Sequence, residues 1–186
     1  MSQVEMTRTE FTPAGMAALL VPALSKALGH SPSRNLAELC LAQLCFETTS
    51  GHNLWNNNFG NVDISSSDQN YWMAPGQPNH IRSFDTPQAG MGEYAHQVVR
   101  RPSMVKAGNA GDALAFATAI RDTNYTPSID PEPTARSLNK FVEQFRQQKL
   151  FAHLGSRAAV GIALLGAVAV VTVSLLLRRR RRWGLV

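Results

Sequence analysis

The sequence predicts an α+β fold, mostly helical, with a small β-hairpin lobe and one apolar C-terminal segment long enough to cross a membrane. Three observations carry that prediction. Apolar residues recur at helical spacing in five stretches between residues 12 and 153. Residues 60–85 break that pattern and are rich in Ser, Asn, Gly, Pro and Asp. Residues 158–177 read AAVGIALLGAVAVVTVSLLL and carry no charge.

The first helix begins at Thr12-Pro13, a cap followed by proline in the first turn, and runs to Leu28, where Gly29 offers a stop. Pro22 is expected to kink or divide it. A second helix starts near Ser31-Pro32 or Ser33, carries Leu36, Cys40 and Leu44 on one face, and ends near Thr49 to Gly51. Glu47 falls on the same stripe at its C-terminal end. Short alternating runs at Asn61 to Ile64 and His80 to Phe84 suggest a small hairpin or irregular lobe. Helical pattern returns from Pro87 to Arg100, again from about Gly111 to Arg121, and last from about Pro133 to His153. The intervening DTNYTPSIDPEP has the chemistry of a loop. Gly155 offers a joint before the apolar segment.

The 186 residues allow one domain with a real core plus extras. The formal charge is +5, from 18 Lys and Arg against 13 Asp and Glu. Five arginines stand together at Arg178 to Arg182, and without them the basic and acidic residues balance. There is no basic stripe with interleaved aromatics, which argues against specific nucleic-acid binding. Cys40 and Cys45 lie five apart on a helix, turned roughly 140° from each other, so they read as small buried hydrophobes rather than a disulfide. The histidines are scattered without metal-ligand spacing on one helix. No phosphate-binding loop or nucleophile elbow occurs. Neither a metal nor a cofactor is expected.

A helix of 20 residues spans roughly 30 Å, the thickness of a bilayer core. The five arginines belong on a cytoplasmic or anionic-lipid surface, which puts the larger N-terminal part across the membrane. The N-terminal MSQVEMTRTEF lacks the apolar core of a signal peptide. Two arrangements answer that conflict: the span itself translocates the domain, or the membrane is unusual, such as one inside a virus particle. Ala159, Ala163 and Ala167 form a small-residue stripe on which a homo-oligomer could pack through the span.

Glu47 is the candidate for chemistry. Apolar neighbours and the negative end of a helix dipole both disfavour its charged form and raise its pKa. A carboxyl that keeps its proton near neutral pH can donate it to a leaving oxygen, and glycosidic bonds need such a donor. A glutamate at a helix end can equally face solvent; the loop after it tips the balance. Trp55 and Phe59 offer flat faces to a sugar. Asn56, Asn57 and Asn58 can hold a backbone turn or bond acetamido groups, and Gly60 allows close backbone approach. Asp63 and Asp68 are candidate second carboxylates; Asp85, before Thr86-Pro87, reads better as a helix cap.

Four short motifs in order, LAQLCFETTSG, NNNFGNV, IRSFDTPQAGMGEYA and NYTPSIDP, resemble the glucosaminidase-type wall hydrolases, which include flagellar muramidase domains and many phage lysins. The resemblance covers roughly residues 35 to 146 and implies a lysozyme-like fold with a groove for the peptidoglycan glycan strand. It implies that Glu47, in the pattern A-Q-x-x-x-E with Ala42 and Gln43, is the catalytic acid. Asn57, Phe59 and Gly60 match the family's Asn-x-Phe-Gly, and Tyr125 matches a tyrosine that lines the cleft. Thr48 to Gly51 stand where the family often has Trp-Gly, and Asp130 follows Tyr125 by five residues rather than three.

The resulting expectation is a lysozyme-like glucosaminidase domain over residues 1–154, a transmembrane helix with its arginine flank over 155–182, and a tail over 183–186. It would cut β-1,4 bonds of peptidoglycan, as a glycoside hydrolase or a lytic transglycosylase, with Glu47 and Tyr125 as catalytic residues. Its partners would be peptidoglycan and a lipid bilayer, in a virion's internal membrane or a bacterial inner membrane with the domain facing the wall. The alternative is a non-catalytic glycan-binding or structural membrane protein on the same scaffold.

Overall fold

Six helices and five short strands make up the computed structural model, which describes residues 2–60, 70–73 and 80–154. Helix α1 (Pro13–Leu28) opens where the Thr12 hydroxyl accepts a bond from the Gly15 amide at 3.1 Å. It closes at Gly29 in the left-handed region, φ 75°. Met16, Leu20 and Leu24, spaced by four, are fully buried. Pro22 does not divide this helix. It is exposed, and so is Ala18, whose carbonyl the proline leaves unpaired, so water can satisfy that carbonyl.

Helix α2 (Arg34–Glu47) is the core of the molecule. Ser33 caps it, accepting from the Leu36 amide at 3.1 Å. The sequence suggested one apolar stripe, yet every residue from Leu36 to Cys45 is buried. A helix surrounded on all sides needs no polar face. α1, α4 (Pro102–Ala110) and α6 (Pro131–Gln147) pack around α2; α3 (Pro87–Val99) lies on α1, and α5 (Ala113–Asp122) bridges α4 and α6. Glu38, only 1% exposed, is the charge buried in this arrangement, and it bonds Arg34 at 2.7 Å and Arg146 of α6 at 2.8 Å. Cys40 and Cys45 are free and buried, with burial pushing both thiols up to about 12.

Three helix boundaries differ from the sequence reading. α4 was not anticipated, although Pro102 at its first position and Gly111 (φ 72°) just past its end mark it. Thr86, not Asp85, caps α3, accepting from the Ala89 amide at 3.2 Å. α6 starts two residues before Pro133, capped by Asp130, and stops at Gln147 because Lys149 turns left-handed at φ 56°. The chain then folds back to bury Phe151, where the first compact unit (Met1–Phe151) ends.

The β lobe is a hairpin of β4 (Asn70–Met73) and β5 (His80–Arg82), antiparallel with Tyr71 opposite Arg82. One N-terminal strand joins it and another belongs to a separate two-stranded sheet, and the sequence reading had missed both. β1 (Ser2–Gln3) runs parallel to β4, and β2 (Arg8–Thr9) runs antiparallel to β3 (Leu54–Trp55). Among the described residues no helix is long and apolar enough to cross a membrane. The span read at residues 158–177 lies outside the described residues, as do its arginine flank and the small-residue stripe.

Candidate active site

Glu47 is the last residue of α2. Beyond it Thr48 caps the helix, and Thr49, Ser50 and Gly51 turn left-handed, at φ 51°, 57° and 90°. A side chain on Gly51 would collide with the Phe11 carbonyl, so glycine is required there on two counts. Glu47 is half-buried at the helix end before this tight reversal.

One carboxylate oxygen, Oε1, accepts a bond from the Gln43 side-chain amide at 3.1 Å. The other, Oε2, is buried with no hydrogen-bond partner among the described residues. Burial pushes the Glu47 carboxyl up to about 7, and the Gln43 bond opposes that rise. At neutral pH a substantial fraction of Glu47 therefore carries a proton.

Two tyrosines stand next to it. Tyr125 follows α5 by way of a left-handed Asn124, φ 57°, and its amide reaches back to the Ile120 carbonyl at 3.1 Å. That turn sends its ring edge-on against Tyr94 of α3, with centroids 6.5 Å apart. The Tyr125 hydroxyl donates to the Gly60 carbonyl at 3.1 Å. Burial first, and the nearby Glu47 charge second, hold the Tyr125 proton on well above the usual tyrosine range. Burial chiefly, with smaller contributions from Cys40, Tyr125 and Glu47, does the same at Tyr94. Both hydroxyls thus serve as hydrogen-bonding groups and not as bases. Gly60 is where the segment meets them: a side chain there would run into the Tyr125 hydroxyl and come within 2.9 Å of the Tyr94 ring.

The asparagine loop is committed to the fold. Asn56 and Asn57 sit left-handed at φ 50° and 57°, a conformation asparagine tolerates. The Asn56 amide donates to the Glu5 carbonyl at 2.9 Å and accepts from the Thr7 amide at 2.7 Å. Asn57 donates to the Phe84 carbonyl and Asn58 to the Arg82 carbonyl, both at 2.9 Å. These bonds stitch the N-terminal strands, the loop and the lobe together. Phe59 offers no face to a sugar, because its ring is fully buried edge-on against Phe11 at 5.3 Å. Trp55 keeps part of its ring exposed while its indole N–H donates to Asn53 at 3.0 Å. Asp63 and Asp68 lie outside the described residues.

The structure adds groups that the sequence reading had not placed. Glu93, Gln97 and Arg101 follow at intervals of four along α3 and into the turn before α4. Gln97 donates to Glu93 at 2.6 Å, Arg101 donates to the Gln97 side chain at 2.9 Å, and the Arg101 guanidinium lies over the Tyr125 ring at 4.9 Å. The four-residue spacing was visible in the sequence; the partner ring, from another segment, was not. Phe46, beside Glu47, is one of the two large apolar side chains that remain exposed among the described residues.

Two surface hollows lie away from Glu47. One of about 650 Å³ runs between α1 and α3 beside Pro22, Ala23, Gln88 and His96. One of about 580 Å³ lies between α4 and α5 beside Lys106, Leu114 and Thr118. Neither is lined by Glu47, Tyr94 or Tyr125, so the Glu47 corner is the better candidate for chemistry.

No family model matches the chain, and a comparison with curated proteins finds no matching relative. Solved structures do match. The glycoside hydrolase domain of FlgJ from Salmonella typhimurium superposes with a TM-score of 0.52 at 16% identity, over 84% of this chain and 99% of that one. A peptidoglycan hydrolase from Sphingomonas sp. A1 gives 0.52 at 20% identity, over 76% and 97%. At these identities the likeness is one of backbone, and this chain shares the fold of those two proteins.

Proposed function

We propose that this chain is a peptidoglycan-cleaving enzyme in which Glu47 is the general acid. The observation that carries the proposal is the Glu47 carboxyl itself. It is half-buried, holds its proton up to about pH 7, and keeps one buried oxygen without a hydrogen-bond partner among the described residues, with Tyr94 and Tyr125 near enough to feel its charge. A glycosidic oxygen leaving a sugar carbon needs a proton as the bond breaks, and a carboxyl neutral at working pH supplies it. The two solved structures of the same fold, one a glycoside hydrolase domain and one a peptidoglycan hydrolase, favour the glycan strand as substrate.

In the reaction the Glu47 proton moves to the departing oxygen while the C1–O bond breaks. Tyr125, locked in its protonated form, bonds the sugar or the developing charge. C1 is then closed either by a water that a second carboxylate activates, for which Asp63 and Asp68 are the candidates, or by the sugar's own hydroxyl or acetamide. The first route needs the two carboxyls roughly 6.5–9.5 Å apart. The bond attacked is a β-1,4 linkage of the glycan strand. Trp55, the aromatic of the loop with exposed surface, is the candidate to stack on a sugar ring.

The apolar segment at residues 158–177 and the arginines after it support a single-pass membrane anchor, in a virion's internal membrane or a bacterial inner membrane, with the domain facing the wall. A phage-derived enzyme for wall penetration or lysis fits that combination.

Purified sacculi test the activity. The full chain is expected to clear them, and Glu47→Gln to lower the rate by roughly 10²–10⁴-fold. Mass spectra of the released muropeptides report the bond, and a 1,6-anhydro end reports transglycosylation. No clearing by the wild type between pH 4 and 8, or clearing retained in Glu47→Gln, overturns the proposal.

A further inference from the structure

We propose that Gln43, locked by Tyr94, is the positioning residue for Glu47: it takes Oε1 as its hydrogen-bond acceptor and leaves Oε2 as the oxygen that carries the transferable proton. The inference rests on reading Glu47 as the acid.

Three bonds define the arrangement. The Tyr94 hydroxyl lies 3.0 Å from the Cys40 carbonyl and 2.9 Å from Oε1 of Gln43. Both are acceptors, so the single hydroxyl proton is shared between them. An amide has one oxygen end and one NH₂ end, and its orientation follows from what each end meets. With its oxygen turned to Tyr94, Gln43 must present NH₂ to Glu47, and Nε2 lies 3.1 Å from Glu47 Oε1. Gln43 is one helical turn before Glu47, so the backbone holds the pair at contact distance. Tyr94, Gln43 and their mutual contact are buried, which excludes water as a competing partner.

An N–H aimed at Oε1 makes that oxygen the carbonyl-like one in the neutral acid. A proton placed there would point at another proton. The acid proton therefore resides on Oε2, the oxygen without a partner among the described residues. Donation through Oε2 leaves the Gln43 bond intact and strengthens it, because Oε1 gains negative charge as the proton departs. Gln43 thus stabilises the carboxylate formed when the proton is transferred, at no cost in side-chain motion.

Among the described residues the ionisable groups that feel Glu47 are Tyr94 from α3 and Tyr125 from the turn after α5, and Cys40 two turns back on α2 bears on both tyrosines. Arg101, before α4, stands over the Tyr125 ring. Tyr94, Tyr125 and Cys40 all keep their protons at neutral pH. Among these groups the Gln43 amide is the one that favours the charged form of Glu47.

The test is a titration of the Glu47 carboxyl carbon by NMR in the full chain in detergent micelles, using labelled glutamate and Glu47→Gln for assignment. Activity on sacculi is measured across the same pH range. In Gln43→Met, which keeps the length of the side chain, the Glu47 titration should move up by roughly one pH unit. The alkaline limb of activity should move with it, with kcat reduced and KM little changed. Tyr94→Phe, which keeps the ring but frees the amide to turn over, should move the titration the same way by less. A lowered melting temperature with an unmoved titration in Gln43→Met overturns the positioning role. A titration that moves as expected in a protein that clears no sacculi supports the relay and overturns the muralytic reading instead.

Discussion

Two side chains decide most at the residue scale. Glu47 is held protonated by burial, and this has a consequence for stability as well as for chemistry. Its folded value of about 7 lies above the ordinary glutamate value. The neutral form is therefore the one the fold accepts, and the penalty of ionisation grows as pH rises through that range. Glu47→Gln removes the penalty. Its melting temperature should exceed that of the wild type at pH 8, by a stability gain on the order of 2 kcal/mol, and match it at pH 4, as calorimetry at the two pH values would show. Equal melting temperatures at pH 8 would mean that the carboxyl reaches water. Gly60 is the second. A methyl group there meets the Tyr125 hydroxyl and the Tyr94 ring, so Gly60→Ala should cost about 1–3 kcal/mol in chemical denaturation and lower kcat through the displaced tyrosines.

Elements were legible in the sequence where their signals are local. Thr12 and Ser33 cap the helices the sequence assigned them to, because a side-chain oxygen needs only an amide two or three residues on. β1 and β2 were not legible. Two-residue strands carry no periodicity of their own, and their partners stand some 50 to 70 residues away. The asparagine loop shows the same limit from the other side. Its composition fits a sugar site and a set of turns equally well, and only the placement of Glu5, Arg82 and Phe84 around it assigns the amides to backbone carbonyls. Between elements, Glu38 joins α2 to α6 through Arg146. Removing that carboxylate deletes a buried group and its charge-assisted bonds while the half-exposed guanidinium groups turn to water, and Glu38→Ala should destabilise the protein by about 2 kcal/mol in urea titration. Arg146→Ala should cost less, since Arg34 still pairs Glu38 and the arginine ends are half-exposed.

At the scale of the whole molecule the chain joins a mostly helical domain to an apolar segment of bilayer length. If residues 158–177 span a membrane, the full chain should sediment with lipid vesicles, stay bound through a 1 M salt wash and come off in detergent; release by salt alone would show an electrostatic attachment through the arginines. The sequence by itself determined the helical character of the domain, most of its helix starts, the apolar segment, and Glu47 as the residue to examine. Each of these depends on neighbours within one or two helical turns, where spacing and side-chain chemistry suffice. Only the tertiary structure decided that Phe59 is core, that Gly60 makes room for two tyrosines, that Arg101 lies on Tyr125, and that the Tyr94 hydroxyl meets Gln43 one helical turn before Glu47. Those depend on contacts between segments far apart in the chain, and the distance between such segments is not written in the local order of residues.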